Sequence, residues 1–169
     1  KTASVIYTSG IIDLSLIDHP NCSVFYPLQS FDGDLSVKAK EIPILIESKS
    51  TESNLDLQQF CKLLGLPCFL VNSEKRKQIH LCAVFINNFI NHMGNIAFDE
   101  MKSRNIEIEI LKQLLEKTMH QLLKGNSIEK QTGPAKRNDK NTIMEHEKML
   151  KGDTLDVYKV MTNSILKKF

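Results

Sequence analysis

Six polar residues interrupt an otherwise apolar stretch near the middle of the chain: His80, Asn87, Asn88, Asn91, His92 and Asn95. An imidazole can trade a proton near neutral pH, and a carboxamide can donate and accept hydrogen bonds. On a regular helix, at about 100° per residue, Asn87 and Asn91 return to within about 20° of His80. Asn88 lies about 80° away and borders the same face. Buried amides and imidazoles need partners. This cluster either ties neighbouring helices and loops together or lines a pocket and hydrogen-bonds a ligand.

Two further stretches offer polar groups on turns. Gln131 to Asp139 holds the one Gly-Pro of the chain, with Thr132 supplying a hydroxyl and Arg137 a planar fork of donors. It is a loop with an Arg-Asp pair, or a loop that closes over an anion with Arg137 as the clamp. Thr8-Ser9-Gly10 and Tyr26-Pro27-Leu28-Gln29-Ser30-Phe31 each follow a β-rich run. In open α/β sheets, ligands bind outside the carboxyl ends of strands, so Ser9, Gly10 and Gln29 are candidate contacts. The alternative is plain strand-end turns. Lys75-Arg76-Lys77 reads as a solvated helix start.

Metal and disulfide chemistry have no support. Cys22, Cys61, Cys68 and Cys82 show no CxxC spacing, and the five histidines show no HExxH. The thiols read as reduced and structural, in a cytoplasmic protein, with Cys61 and Cys82 set in apolar patterns.

The elements that must position these residues change character near residue 73. Before it, residues 4–7, 23–26, 43–47 and 67–71 read as short strands bounded by breakers, apolar enough to be buried on both faces. Residues 54–64 read as a helix started by Ser53 and Asp56 and stopped by Gly65. After it, Ser73 caps a long helix over 74–102, and Leu111, Leu114, Leu115, Met119 and Leu122 mark another over 106–124. Asp139 caps a third helix and Asp153 a fourth. The expected fold is α/β followed by all-α: residues 1–72 form the C-terminal part of a Rossmann-like sheet, and 73–169 form a helical dimerisation domain. The belt Ile79, Leu81, Val84, Phe85, Ile86, Phe89 and Ile90 is wider than one neighbour covers. That surplus predicts a homodimer.

Composition narrows the partners. The 169 residues are 41% hydrophobic and 25% charged, as in an average globular protein. Lys plus Arg number 22 and Asp plus Glu 20, so no net field drives binding to nucleic acid or an anionic membrane. No apolar run reaches the roughly 18 residues of a membrane span. None of the 7 glycines forms a GxGxxG or Walker loop.

Thr8-Ser9-Gly10, Pro27 to Phe31, Ile42-Pro43 through Glu47, His80 to Phe85 with Asn88, and Thr132-Gly133-Pro134-Ala135 with Arg137, Asp139 and His146 occur in a telling order. That order resembles a family of NAD(P)-dependent oxidoreductases with a Rossmann-like N-terminal half and a helical C-terminal domain of unknown function. The family is similar to deazaflavin-dependent NADP oxidoreductases, pyrroline carboxylate reductases and hydroxyacid dehydrogenases. The resemblance implies NADP or NAD as cofactor, a small C=O or C=N compound as substrate, and a Gly-rich loop upstream of Lys1. It implies that His80 donates a proton, Asn88 orients substrate, and Ser9, Gly10 and Gln29 border the cofactor. Asn87, Asn91, Thr132 and Arg137 would then hold the substrate. Family members often carry His where this chain has Tyr26. The rival reading is a non-catalytic protein that binds a nucleotide or metabolite, or serves only to dimerise.

Overall fold

The computed structural model describes residues 4–31, 33, 38–125 and 129–169, so the first residues of the polar stretch after Gly125 lie outside the described ones. The chain divides into two compact units, 1–93 and 94–169. In the first, β1 (Val5–Tyr7), β2 (Cys22–Pro27), β3 (Ile44–Ser48) and β4 (Cys68–Leu70) form one sheet in that order. β1 runs parallel to β2 and β3 parallel to β4, while β2 and β3 are antiparallel. The sheet is therefore mixed. Only β2 and β3 begin with three buried residues, whereas Phe69 and Leu70 of β4 are exposed. Burial on both faces thus fails at β4, an edge strand with a neighbour on one side only.

Strand alternation sorts the two faces. Phe25 stands opposite Ile46, and together with Ile44 they pack against Leu57 and Cys61 of helix α1 (Thr51–Leu64). On the other face, Val24 stands opposite Glu47 and Tyr26 opposite Leu45. Cys22 and Val24 there pack with Leu14, Ile12 and Ile17 from the β1–β2 connection. Each wholly buried Val24 or Ile46 contributes about 1.5–3 kcal/mol. Helix α1 starts earlier than the sequence suggested, because Ser50, not Ser53, is the cap: its side chain accepts the Ser53 N–H. Gly65 ends α1 in the left-handed conformation that glycine takes without a Cβ penalty.

The long helix is three pieces: α2 (Ser73–Ala83), a π-helical segment (Val84–Phe89) and α3 (Ile90–Ser103). Its cap is Asn72, whose side chain accepts the Lys75 N–H. The Ser73 hydroxyl is occupied elsewhere, donating to Glu47 Oε2 at 2.8 Å and accepting the Leu14 N–H at 3.2 Å. The apolar belt stays largely open, with Leu81, Phe85, Ile86 and Phe89 all exposed. The exposed Cys82 is likewise no core residue.

The second unit holds the rest of α3, α4 (Lys112–Leu123), α5 (Lys140–Met149) and α6 (Gly152–Lys168). A short 3-10 turn at Ile108–Leu111 precedes α4. Asp139 caps α5, its carboxylate accepting the Thr142 N–H at 3.1 Å and hydroxyl at 2.7 Å. Those bonds hold its carboxyl below the usual range. Asp153 does not cap α6: the cap position is Lys151, which makes no side-chain bond there. All four cysteines are free. Among the described residues, no helix is long and apolar enough to cross a membrane.

Candidate functional site

Arg76 and His80 are four residues apart on α2 and so share one face. Glu47 and Tyr26 share one face of the sheet by alternation. The two pairs meet. Arg76, wholly buried at 0% exposure, ion-pairs with Glu47, donates to the Ile12 carbonyl, and lies 3.3 Å from the Ser73 hydroxyl. Lys77 pairs with Asp13 at 2.7 Å. The Lys75-Arg76-Lys77 run is therefore not simply solvated. Its middle residue faces the sheet, where a buried cation requires an anion and carbonyl oxygens.

One turn on from this lock, His80 Nδ1 lies 3.0 Å from the Tyr26 hydroxyl, and the rings meet edge to face at 70°. Burial pushes the Tyr26 phenol up from its ordinary pKa. Gly10 approaches from the β1 end. A Cβ built on it would lie 2.7 Å from His80 Nδ1, so only glycine lets the ring sit where it does. The imidazole is thus held by the carboxyl ends of two parallel strands and by α2.

A cleft of about 520 Å³ opens here. Tyr26, Leu28, Gln29 and Ser30 line it from the end of β2, and His80 and Ala83 from α2. Val84, Ile86, Asn87 and Asn88 line it from the π segment. The volume falls within the roughly 300–1,000 Å³ of small-molecule sites. The Gln29 carbonyl oxygen accepts the Ser30 N–H at 2.8 Å, which orients its amide. Imidazole, phenol and three carboxamides converge on one apolar-walled space. That set can hydrogen-bond a polar head and pass a proton to it.

Comparison with known proteins places this fold. Residues 42–165 match a family described as a domain of unknown function, DUF2520. The chain belongs to the DUF2520 family. It is similar to a Bacteroides fragilis protein, BF3122, named as a candidate NADP oxidoreductase: 34% identity and a TM-score of 0.87 over 96% of this chain. This chain spans 64% of that protein's length. Protein TM1727 from Thermotoga maritima shares the fold, with a TM-score of 0.63 at 21% identity, over 99% of this chain and 69% of its own. No curated protein matches the chain. The family and the Bacteroides fragilis structure bear out the α/β half and helical part read from the sequence.

In this DUF2520 chain the residues singled out by sequence fall into four groups. His80, Asn87, Asn88 and Gln29 share the cleft. Ser9 and Gly10 sit beside it: the Ser9 hydroxyl accepts the Ile11 N–H at 3.3 Å, and Gly10 backs the His80 ring. Asn91, on α3, is not a lining residue, although a regular helix would have put it there. The π turn is the reason. Its i→i+5 bonding inserts an extra residue per turn, bringing Asn88 to the cleft and carrying Asn91 past it. Thr132 and Arg137 belong to the second unit and are exposed, in a turn where Asp139 N–H donates to the Pro134 carbonyl at 2.9 Å. Tyr26 is the residue that sequence reasoning did not assign to the site. Its alternation with Val24 was the available signal, since both side chains leave the same face of β2.

Proposed function

We propose that this chain carries the proton-donating part of an active site for hydride transfer between a nicotinamide cofactor and a small C=O or C=N compound. The observation that supports it is the Tyr26–His80 hydrogen bond in a cleft at the strand ends, lined by Gln29, Asn87 and Asn88. The carboxamide set suits the nicotinamide end of NADP or NAD, whose own carboxamide needs both a donor and an acceptor. When bound, the cofactor supplies or takes the hydride.

The protein's task is the proton. A carbonyl or imine that gains hydride becomes basic at its heteroatom and needs a donor. The Tyr26 phenol, its pKa raised by burial, shares a proton with His80 Nδ1 across 3.0 Å. In the tautomer where the phenol donates, Nε2–H faces the substrate heteroatom; as that proton leaves, the phenol proton passes to Nδ1, and solvent reprotonates the phenolate. Asn88 orients the substrate, Asn87 adds a second amide, and Gln29 borders the cofactor. Gly10 acts through His80 by giving it room, and Ser9 fixes the turn that carries Gly10.

We also propose that the protein works as a homodimer through its helical part. Leu114, Leu115 and Leu122 of α4 form an exposed apolar stripe.

The function is tested by oxidation of reduced nicotinamide in the full-length protein, against a panel of small ketones, 2-oxo acids and cyclic imines. His80→Gln should keep the circular-dichroism spectrum and lose about 100-fold or more in turnover. Normal turnover by that variant would make His80 a structural histidine.

A further inference from the structure

A second cleft lies wholly within the second unit, and it repeats the polar device of the first. Its volume is about 330 Å³, at the small end of ligand sites. Met101, Ile106, Met149 and Leu150 give it apolar walls. At its polar end, His146 Nδ1 lies 2.9 Å from the Tyr158 hydroxyl, edge to face at 78°.

The walls are pinned. Arg104 at the end of α3 donates to the Met149 carbonyl at 3.2 Å and to the Glu100 carbonyl at 2.9 Å, and it ion-pairs with Glu100. That pair cancels the charge in the cleft, so an anion gains little there. The His146–Tyr158 pair offers one spare donor whichever way its shared proton points. If the phenol donates, imidazole Nε2–H is left; if the imidazole donates, the phenol O–H is left. The cleft therefore asks for a neutral, mainly apolar molecule with one hydrogen-bond acceptor.

We propose that this cleft binds small apolar ketones or alcohols, independently of the Tyr26–His80 site. Cyclohexanone is a suitable probe, with methylcyclohexane as its matched apolar control. Met101 and Met149 line the cleft, so their 13C methyl resonances report occupancy in the whole protein. Cyclohexanone should shift both, with saturation near the millimolar range expected of so small a ligand. His146→Phe combined with Tyr158→Phe removes both possible donors and should weaken the ketone about 5-fold, the worth of one hydrogen bond, while leaving methylcyclohexane unchanged. His146→Leu with Tyr158→Phe serves if that variant misfolds, and it should weaken the ketone too. Three results would overturn the proposal. The methyls do not move; the hydrocarbon binds as well as the ketone; or the methyls shift with protein concentration alone, so that a second copy fills the cleft.

Discussion

Replacing Gly10 by Ala probes the cleft through a single added methyl group. The new Cβ would stand 2.7 Å from Nδ1, 2.8 Å from Cγ and 3.1 Å from Cβ of His80. Ordinary contact begins at 3.4 Å, so the ring must retreat about 0.7 Å (3.4 less 2.7). Gly10 is not one of the glycines with positive φ, so the backbone itself accepts Ala. The cost falls on the ring. Its tightest contact and its 3.0 Å bond to Tyr26 are both made at Nδ1, so moving that atom bends or breaks the bond. Overpacking of this kind costs about 1–3 kcal/mol. For a chain of this length, a cost of about 2 kcal/mol lowers Tm by roughly 4–8 °C. Thermal unfolding should show that fall, and the His80 ring resonances should move. In a His80→Ala background the same substitution should cost at least about 1 kcal/mol less, because the clashing ring is gone. Equal cost in both backgrounds, or an unmoved His80, would show that Gly10 does not hold the ring in place.

Arg76→Ala strands Glu47 against the sheet and should cost about 3–5 kcal/mol, read by urea unfolding. Arg76→Met with Glu47→Gln should recover most of it, and no recovery would mean that lost packing, not lost pairing, sets the cost. Asp13 is held well below the usual carboxylate range, first by Lys77 and then by Ser15. A depressed acid adds stability that is full above its unfolded pKa of about 3.9 and is lost as pH falls below it. Lys77→Met should let Asp13 titrate closer to 3.9, as seen in its 13C carboxyl signal; an unchanged titration would show that Lys77 is not the main cause. Light scattering on the full-length protein at micromolar concentration should give a dimer mass, and Leu114→Glu with Leu115→Glu should reduce it. A monomer mass that persists as concentration rises would refute the assembly.

Local signals in the sequence locate the elements and fail on what joins them. The runs at 44–46 and 24–26 read as strands because apolar and β-branched residues sit between breakers. Their antiparallel pairing is invisible locally, since nothing within a strand encodes its partner's direction. Asp139 reads as a cap from its position alone, and it is one. Ser73 reads as a cap equally well but is drawn away by Glu47, a residue on another element. Arg76 between two lysines looks solvated because burial depends on Glu47 and the Ile12 carbonyl, both distant in sequence. In the cleft, His80, Asn87, Asn88 and Gln29 are legible as polar residues in apolar or strand-end settings. Tyr26 and the true role of Gly10 are not, because each is defined by contact with His80 across the fold. The π segment breaks the regular 100° spacing that would have placed Asn91 in the cleft.

The cleft around His80 is proposed to receive the nicotinamide end of the cofactor. Titrating isotope-labelled full-length protein with NADPH, and following the side-chain signals of His80, Gln29 and Asn88 by NMR, tests it without knowledge of the substrate. The expected result is saturable shifts at all three, with Gln29 moving most. Saturable binding that leaves all three signals unmoved would place the cofactor away from the His80 cleft.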